Sequence, residues 1–349
     1  MIVLIIKIMD SYDVVIVGAG PADLNCARVL AEAKKKVLVL EKNEVVGPKV
    51  CAGGLLGHDL EYLKLPDELL DSKFNKEIVH SPFDTDIIKL NYDFIYTVDR
   101  KNLGQWLLKR AQTAGAEVRI KSKVTKIENG YVVVNDSEKI GFKTLVGADG
   151  SNSFVRLHLG LSKELQLIGI QYIIPTNKYK DIEFFFDSKL FHSWYAWIFP
   201  HKGYVSIGCG CDPKKFSSKK IMANFKKWLE INKIDVSKGR YESFPINADY
   251  KGYQFKNVFL VGDAAGLASI WTGEGIYQAL ISGEEVAKVI LDKKCVPAKL
   301  NDVIKHKKLH NRIVKILELS GPVRRAEYEL MLLLFKSKKM DEKFIDLIA

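Results

Sequence analysis

Three large aromatic residues at a spacing of two are the side chains of this chain best suited to line a binding surface. The pattern is Tyr195-x-Trp197-x-Phe199-Pro200, followed by Gly208-x-Gly210. Side chains alternate between the faces of a strand, so the three rings would share one face, and a proline would end the ladder. Such a wall suits a long apolar ligand. The alternative is that the rings form the core face of a half-buried strand.

A second group of residues has the types and spacing that hold a nucleotide diphosphate. An apolar run over 14–17 leads into Gly18-x-Gly20-Pro21-Ala22, a helical stretch follows, and a second apolar run ends at Glu41 and Lys42. In such a βαβ unit the glycines allow a tight turn and close approach to a pyrophosphate at the helix N-terminus. The acidic residue holds a ribose hydroxyl. The pattern therefore predicts a nucleotide site.

Two positions in this unit depart from the usual fingerprint. Asp23 stands where the third glycine is expected, and Lys34 stands where a glycine commonly ends the helix. A carboxylate at this point should push the helix outward or lie over the turn, and it should repel the pyrophosphate. We therefore expect looser cofactor binding than usual.

Two further apolar runs end in acidic turns, and one glycine pair opens a helix. The runs end at Asp149-Gly150 and at Gly262-Asp263. Gly273-Glu274-Gly275 precedes a helical pattern that begins at Ile276. The positive end of that helix dipole could stabilise an anionic ring system. Taken singly, each turn could be an ordinary strand end, and the glycines could simply admit close packing.

These motifs, in this order, resemble those of the p-hydroxybenzoate hydroxylase superfamily of flavoproteins. The resemblance implies that the cofactor is FAD. It implies that Asp263 contacts the ribityl chain and that the Asp149 turn lies near the pyrophosphate and a passing nicotinamide. Arg100, after Asp99, matches the residue that opens a helix beside the flavin, with a surface arginine as the alternative. The cofactor-binding residues expected on this basis are Gly18, Gly20, Pro21, Ala22, Glu41, Lys42, Arg100, Asp149, Gly262, Asp263, Gly273, Gly275 and Ile276.

Within that superfamily, the chain resembles the geranylgeranyl reductase family from about Tyr12 to about Leu291. Lys49-x-Cys51-x-Gly53-Gly54 is similar to a loop of that family, and the aromatic motif is similar to its Tyr-x-Trp-x-Phe-Pro signature. The sequence departs from the family at His192, Ile270 and Leu103-Gly104, where other residues are usual. Trp271 could reshape the substrate tunnel. The substrate-binding residues expected are Tyr195, Trp197, Phe199, Pro200, Gly208, Gly210 and Trp271.

The resemblance implies an enzyme that reduces isolated carbon–carbon double bonds of an isoprenoid lipid by hydride transfer from reduced flavin N5. Cys51, or a water near it, would deliver or position the proton, although a cysteine is more often a buried small hydrophobe. The electron donor stays open between NADPH, ferredoxin and another reductant. Two alternatives are an FAD-dependent monooxygenase and a flavin-binding protein with little turnover, the latter suggested by Asp23, Lys34 and Ile270.

The order of motifs predicts an α/β fold (α+β overall) with a Rossmann-like FAD-binding domain and an inserted antiparallel β-sheet domain. The FAD-binding domain would comprise residues 9–60, 96–165 and 250–295. The substrate-binding domain would comprise 61–95 and 166–249, and 296–349 would form a short C-terminal helical tail. Strand-like runs between 165 and 250 should roof the flavin, with an amphipathic helix near 221–231 packed on them.

Composition narrows the remaining choices. The chain has 349 residues, 47% of them apolar, and five cysteines in odd number, which is cytosolic usage. We expect no metal, no nucleic-acid partner and no transmembrane segment.

The C-terminal segment is basic. The formal charge of the chain is +11, and residues 296–349 hold 12 Lys or Arg against 7 Asp or Glu. The run 330–335 followed by Lys336, Lys338 and Lys339 fits a helix resting on an anionic membrane on the cytoplasmic side. The alternative is a helix docked on the core. Met1–Ile8 is expected to be an N-terminal extension or to result from a misplaced start.

Overall fold

The computed structural model describes residues 9–335. The residues Met1–Ile8 and the basic flank with Lys336, Lys338 and Lys339 lie outside the described residues. The strands are β1 (Ser11–Val17), β2 (Val37–Leu40), β3 (Gly54–Leu56), β4 (Leu70–Phe74), β5 (Lys76–His80), β6 (Thr85–Lys89), β7 (Ile95–Val98), β8 (Glu117–Arg119), β9 (Val124–Glu128), β10 (Tyr131–Val134), β11 (Glu138–Gly147), β12 (Gln166–Pro175), β13 (Ile182–Phe185), β14 (Ala196–Pro200), β15 (Tyr204–Cys211), β16 (Arg240–Asn247), β17 (Gln254–Phe255) and β18 (Val258–Leu260). The α-helices are α1 (Pro21–Glu32), α2 (Gly57–Leu63), α3 (Arg100–Thr113), α4 (Phe154–His158), α5 (Ser188–Phe191), α6 (Ser218–Ile231), α7 (Gly262–Ala265), α8 (Ile276–Leu291), α9 (Ala298–Leu319) and α10 (Arg324–Phe335).

An eight-stranded sheet gathers the nucleotide motifs at one edge. Its main path is β17-β18-β11-β1-β2-β8, with β9 and β10 attached beside β11. β1 pairs in parallel with β2 and β11, and β11 pairs in parallel with β18. Parallel strands end on the same side of a sheet, which is where α/β proteins bind ligands. The turns after β1, β2, β11 and β18 therefore converge.

Helices α1 and α8 cover one face of this sheet and cross each other closely. A side chain at Gly283 of α8 would stand 2.2 Å from the carbonyl oxygen of Ala22, so only glycine allows this approach. The helix α1 ends at a turn in which Lys34 has a φ of 62°, the left-handed conformation that usually calls for glycine. Lys34, which stands where a glycine is common, therefore adopts the left-handed conformation itself.

A seven-stranded sheet forms the second layer, in the order β16-β12-β15-β14-β13-β5-β6. Its strands lie within 76–89 and 166–247, inside the ranges predicted for the substrate-binding domain. The predicted amphipathic helix is α6, which buries Phe225 and Trp228 against the outer face of this sheet. The inner face is turned toward the nucleotide-binding edge of the first sheet.

A small sheet of β3, β7 and β4 joins the two layers, and α9 and α10 follow α8. Among the residues that the structure describes, no helix combines the length and apolarity needed to cross a bilayer. The fold class predicted from the sequence, a mixed α/β fold with a Rossmann-like FAD-binding part, is confirmed. The exact domain boundaries stay a prediction.

Candidate functional site

One large cavity lies between the two sheets. It has a volume of about 1150 Å³, and both the nucleotide motifs and the aromatic motif contribute to its wall. At one end stand the turns that follow the parallel strands, and at the other stands the inner face of the seven-stranded sheet. The fold therefore brings the two groups of predicted site residues to a single space.

The turn after β1 has the geometry of a diphosphate cradle. Gly18 has a φ of 112°, and a side chain there would lie 2.7 Å from the carbonyl oxygen of Ala148. The buried carboxylate of Glu41 accepts hydrogen bonds from the backbone N–H of Ala19, at 2.9 Å, and of Asn43, at 2.8 Å. Glu41 thus fixes the turn as well as lining the cavity.

Asp23 lies over this turn rather than pushing the helix away. Its Oδ2 accepts the backbone N–H of Gly20, a donor that the fingerprint normally leaves for a phosphate. Its Oδ1 is buried without a hydrogen-bond partner among the described residues. Burial raises the pKa of Asp23 well above its usual range, and the nearby carboxylates Glu41 and Asp149 raise it further, against the Gly20 N–H that lowers it. The Asp23 side chain can therefore compete with a bound phosphate for the Gly20 N–H, and it can take up a proton when a phosphate lies beside it.

Asp263 connects three of the motifs. Its Oδ2 accepts hydrogen bonds from Lys49 Nζ at 2.9 Å and from Ser151 Oγ at 3.0 Å. The side chain also borders the N-terminus of α8, because a Cβ at Gly275 would lie 3.4 Å from Asp263 Oδ1. Lys49 and Ser151 therefore neutralise and orient the carboxylate that the family resemblance predicts at the ribityl chain.

Two buried polar atoms in the cavity wall fit the polar parts of a dinucleotide. Arg100 Nε, in the first turn of α3, is buried and has no hydrogen-bond partner among residues 9–335. Asp149 Oδ1 is also buried without a hydrogen-bond partner among these residues, while Asp149 Oδ2 accepts hydrogen bonds from the N–H groups of Phe154 and Val155. Burial raises the pKa of Asp149 above its usual value, opposed by the Ser153 side chain and by those N–H groups. Native proteins rarely leave such atoms unsatisfied, so the residues present fit a dinucleotide cofactor.

The aromatic motif lines the cavity as an extended wall. Tyr195 lies just before β14, and Trp197 and Phe199 lie on it, all three at the cavity surface. Phe184 of β13 stands between them, with ring centroids 5.4 Å from Tyr195 and 5.5 Å from Phe199. The hydroxyl of Tyr195 donates to the carbonyl of Thr272. Pro200 ends β14, as the sequence predicts.

Glycines after the aromatic motif and in the Cys51 loop leave the space that aromatic rings occupy. A Cβ at Gly208, which is paired with Trp197, would lie 2.4 Å from that ring, and a Cβ at Gly210 would lie 2.5 Å from Trp194. Gly54, in the loop that carries Cys51, would place a Cβ 2.5 Å from Phe199. The aromatic motif and the cysteine loop are therefore in direct contact, with glycine on one side and a ring on the other.

The loop of Cys51 is fixed by residues that the sequence did not single out. His201 Nε2 lies 2.8 Å from the carbonyl oxygen of Ala52, and His201 Nδ1 lies 2.8 Å from Asp71. Gln171 Nε2 donates to the carbonyl of Cys51 at 3.3 Å. The Cys51 thiol lines the cavity and accepts the N–H of Gly53 at 3.4 Å. His201 immediately follows the signature proline, and that position was its only sequence signal.

A cluster of titratable groups stands behind the glycine pair that precedes α8. Glu274 lines the cavity, and its Oε1 lies 3.3 Å from His58 Nε2. Burial alone would lower the pKa of His58, but Glu274 and Asp59 raise it overall. Burial and the charge of Glu274 raise the pKa of Asp59 to about 7, against His58, which lowers it. The cluster can therefore change its protonation state near neutral pH. Sequence analysis did not identify His58 or Asp59.

Gly104 and Ile270, two of the positions that depart from the family pattern, and the neighbouring Trp271 have defined surroundings. Gly104 allows α3 to approach the loop before Cys51, since a Cβ there would lie 2.2 Å from the Cα of Gly47. Trp271 lines the cavity, with its ring centroid 5.4 Å from that of His310 on α9. Ile270 is buried in the core around the seven-stranded sheet. All the predicted cofactor-binding and substrate-binding residues line the cavity except Pro200 and Gly208, which shape it from behind.

The chain matches the family described as "FAD binding domain" over residues 11–283. It is 30% identical over 309 residues to a digeranylgeranylglycerophospholipid reductase of Methanosarcina acetivorans, covering 79% of this chain and 74% of the relative. It is 29% identical over 296 residues to a geranylgeranyl diphosphate reductase of Rhodobacter capsulatus, covering 80% and 75%. A geranylgeranyl bacteriochlorophyll reductase-like protein of Thermoplasma acidophilum has a similar structure, with a TM-score of 0.73, 22% identity and coverage of 97% and 92%. The similarity to the Thermoplasma acidophilum structure shows that the two chains share a fold.

Proposed function

We propose, on the premise that this chain belongs to the geranylgeranyl reductase family and is an FAD-dependent oxidoreductase, that it saturates isolated double bonds of an isoprenoid lipid. The observation that carries the proposal is the shared cavity. Nucleotide-binding turns form one end, and the face bearing Tyr195, Trp197 and Phe199 forms the other. A prenyl chain lying along that face would place an alkene beside the flavin.

In this proposal the dinucleotide is held along the edge of the eight-stranded sheet. Gly18, Gly20, Pro21 and Ala22 bind the diphosphate at the start of α1, and Glu41 and Lys42 border the adenosine ribose. Arg100 and Asp149 supply the polar atoms that lack partners in the described part of the chain. Asp263 orients the ribityl chain, and the N-terminus of α8, with Gly273, Gly275 and Ile276, faces the flavin ring.

Reduced FAD, when bound, supplies the hydride for the reaction. The residues of the chain have three further tasks, which are to exclude water, to orient the alkene and to stabilise positive charge on the carbon that awaits a proton. The ring faces of Trp197, Tyr195 and Phe199 can stabilise the positive charge that develops on this carbon. Trp271 narrows the cavity, and Cys51 delivers or positions the proton.

The test is reduction of a defined lipid without oxygen. Protein loaded with FAD is reduced with dithionite under anaerobic conditions and mixed with a geranylgeranyl ether glycerophospholipid. Mass spectrometry should then find two hydrogens gained per double bond. Trp197→Leu should lose most of this activity, whereas Trp106→Leu, on α3 outside the cavity, should keep it.

Other results would reject the proposal. NADPH oxidation that yields peroxide or inserts oxygen into a substrate indicates the monooxygenase alternative. A colourless protein that takes up no FAD indicates a protein outside both enzyme classes. Repeating the assay with a prenyl diphosphate and a prenyl quinone distinguishes these substrates from the glycerophospholipid, because each carries a different head group on a similar tail.

Peripheral contact with a membrane, from the cytoplasmic side, is a second part of the proposal. Ile316, Leu319, Val323 and Leu330 are exposed by more than half at the junction of α9 and α10. Arg312 and Lys315 are exposed nearby, which suits an anionic surface. The double variant Leu319→Glu, Val323→Glu should lose flotation with vesicles containing phosphatidylglycerol, whereas Ile231→Glu, equally exposed on α6, should not. Equal flotation of both variants would contradict this contact.

A further inference from the structure

Glu77 is a buried carboxyl in a place where a hydrocarbon side chain would be expected. It lies on β5, is 1% exposed and lines the cavity. Its Oε2 has no hydrogen-bond partner, and no basic side chain forms an ion pair with it, within the described part of the chain. A buried carboxyl without partners costs free energy, so a position with no functional demand favours an apolar residue.

The sheet places Glu77 beside the aromatic wall. β5 pairs in parallel with β13, with Ile182 opposite Glu77 and Phe184 opposite Val79. Glu77 and Phe184 are therefore diagonal neighbours on the same face. Phe184 contacts both Tyr195 and Phe199, and the charge of Glu77 is one of the causes that raise the pKa of Tyr195. The carboxyl thus reaches the region in which the prenyl chain would lie.

The protonation state of Glu77 suits an acid. Burial raises its pKa from the usual 4.5 to about 8, so the side chain is neutral and carries a proton at pH 7. Burial is the only cause of this shift, and the titratable side chains placed beside Glu77 are Asp86, on the same face of β6, and Tyr195, before β14. Neither of these is a cation that would favour the ionised form.

We propose that Glu77 is the general acid of this site and gives its carboxyl proton to the alkene carbon that does not receive the hydride. This inference rests on the proposed function. One C–H bond forms with the hydride from the reduced cofactor, and the electron pair of the broken π bond forms the second C–H bond with the proton of Glu77. The cofactor is oxidised and the alkene is reduced. The carboxylate that remains takes a proton from water, and Cys51 then has a positioning role only.

The experiment follows single turnovers with dithionite-reduced, FAD-loaded protein and a geranylgeranyl lipid under anaerobic conditions. Glu77→Gln should slow alkene reduction at least 100-fold, because it keeps the shape and removes the proton. Glu77→Asp should recover part of the rate. The wild-type rate should fall as the pH rises above about 8, and the residual rate of Glu77→Gln should not. Asp86→Asn, on the neighbouring strand, should behave as wild type.

Each outcome separates the two proposals. Flavin absorbance and FAD affinity should be unchanged in Glu77→Gln, which shows that the site is intact. A full rate and an unchanged pH profile in Glu77→Gln would overturn the role of Glu77 and leave the proposed function standing. The same rate loss in Cys51→Ala with the wild-type pH profile retained supports a positioning role for Cys51. Absence of alkene reduction by the wild-type protein on any prenyl lipid would overturn both proposals.

Discussion

At the scale of single residues, Glu77 should make folding stability depend on pH. In the folded state its pKa is about 8 against the usual 4.5, so the folded protein binds a proton that the unfolded chain has released between these values. Stability therefore falls as the pH rises from about 4.5 to 8 and stays reduced above that. Glu77→Gln removes this penalty. We expect it to raise the free energy of unfolding by on the order of 4 kcal/mol at pH 8 and by less than about 1 kcal/mol at pH 5.

Urea denaturation of both proteins at these two pH values measures the effect. Asp86→Asn, whose side chain is partly exposed on the same sheet face, serves as the control and should show no comparable gain. A variant that is more stable at pH 8 but slower in catalysis would be the usual consequence of a functional residue held in an unfavourable setting. An identical pH dependence in the wild type and in Glu77→Gln would contradict the neutral state of the carboxyl.

Asp23 allows a second prediction at this scale, which concerns cofactor affinity. The Asp23 side chain occupies the N–H of Gly20 and repels the diphosphate when it is ionised, so Asp23→Gly should bind FAD about fivefold more tightly, the equivalent of one hydrogen bond of about 1 kcal/mol. Because the pKa of Asp23 is raised, wild-type affinity should weaken as the pH rises and Asp23 ionises, whereas the affinity of Asp23→Gly should change less. Fluorescence titration with FAD measures both, with Asp23→Asn as a control of similar size. Equal affinities across the pH range would contradict the competition.

At the scale of elements, the fit between β14 and β15 should tolerate no side chain at Gly208. Its Cβ would lie 2.4 Å from the Trp197 ring and 2.5 Å from the carbonyl oxygen of Ile170, so Gly208→Ala must displace one strand or the ring. We expect a loss of about 2 kcal/mol in the free energy of unfolding and a change in Trp fluorescence. Gly169→Ala, on β12, meets nothing closer than 3.9 Å and should be neutral. Equal stabilities of the two variants would contradict this prediction and would show that β15 can move enough to accommodate a methyl group at position 208.

The sequence predicted the elements well where their pattern is local. The βαβ unit, the three acidic turns and the aromatic strand are each written in a short stretch, and β1, α1, β2 and β14 appear where expected. Glu77 was missed because a lone glutamate between Lys76 and Ile78 looks like any half-exposed strand residue. Its burial depends on β13, whose Ile182 pairs with Glu77 from more than 100 residues away in sequence, as well as on the neighbouring strand β6. His201 and Gln171 were missed for the same reason, since their partners lie more than 100 residues away in sequence.

At the scale of the whole molecule, the cavity makes FAD a structural link as well as a cofactor. Two hydrophobic cores, one around each sheet, meet at this cavity, and the turns that would hold the diphosphate belong to the first core only. FAD at 100 times its Kd should raise the free energy of unfolding by about 2.7 kcal/mol. Riboflavin at the same concentration should give a much smaller gain, because it lacks the diphosphate and adenosine that Gly18, Glu41 and Arg100 would bind. Urea denaturation followed by Trp fluorescence, with and without each flavin, measures this difference. Equal gains from the two flavins would mean that the edge of the eight-stranded sheet does not hold the nucleotide half of the cofactor.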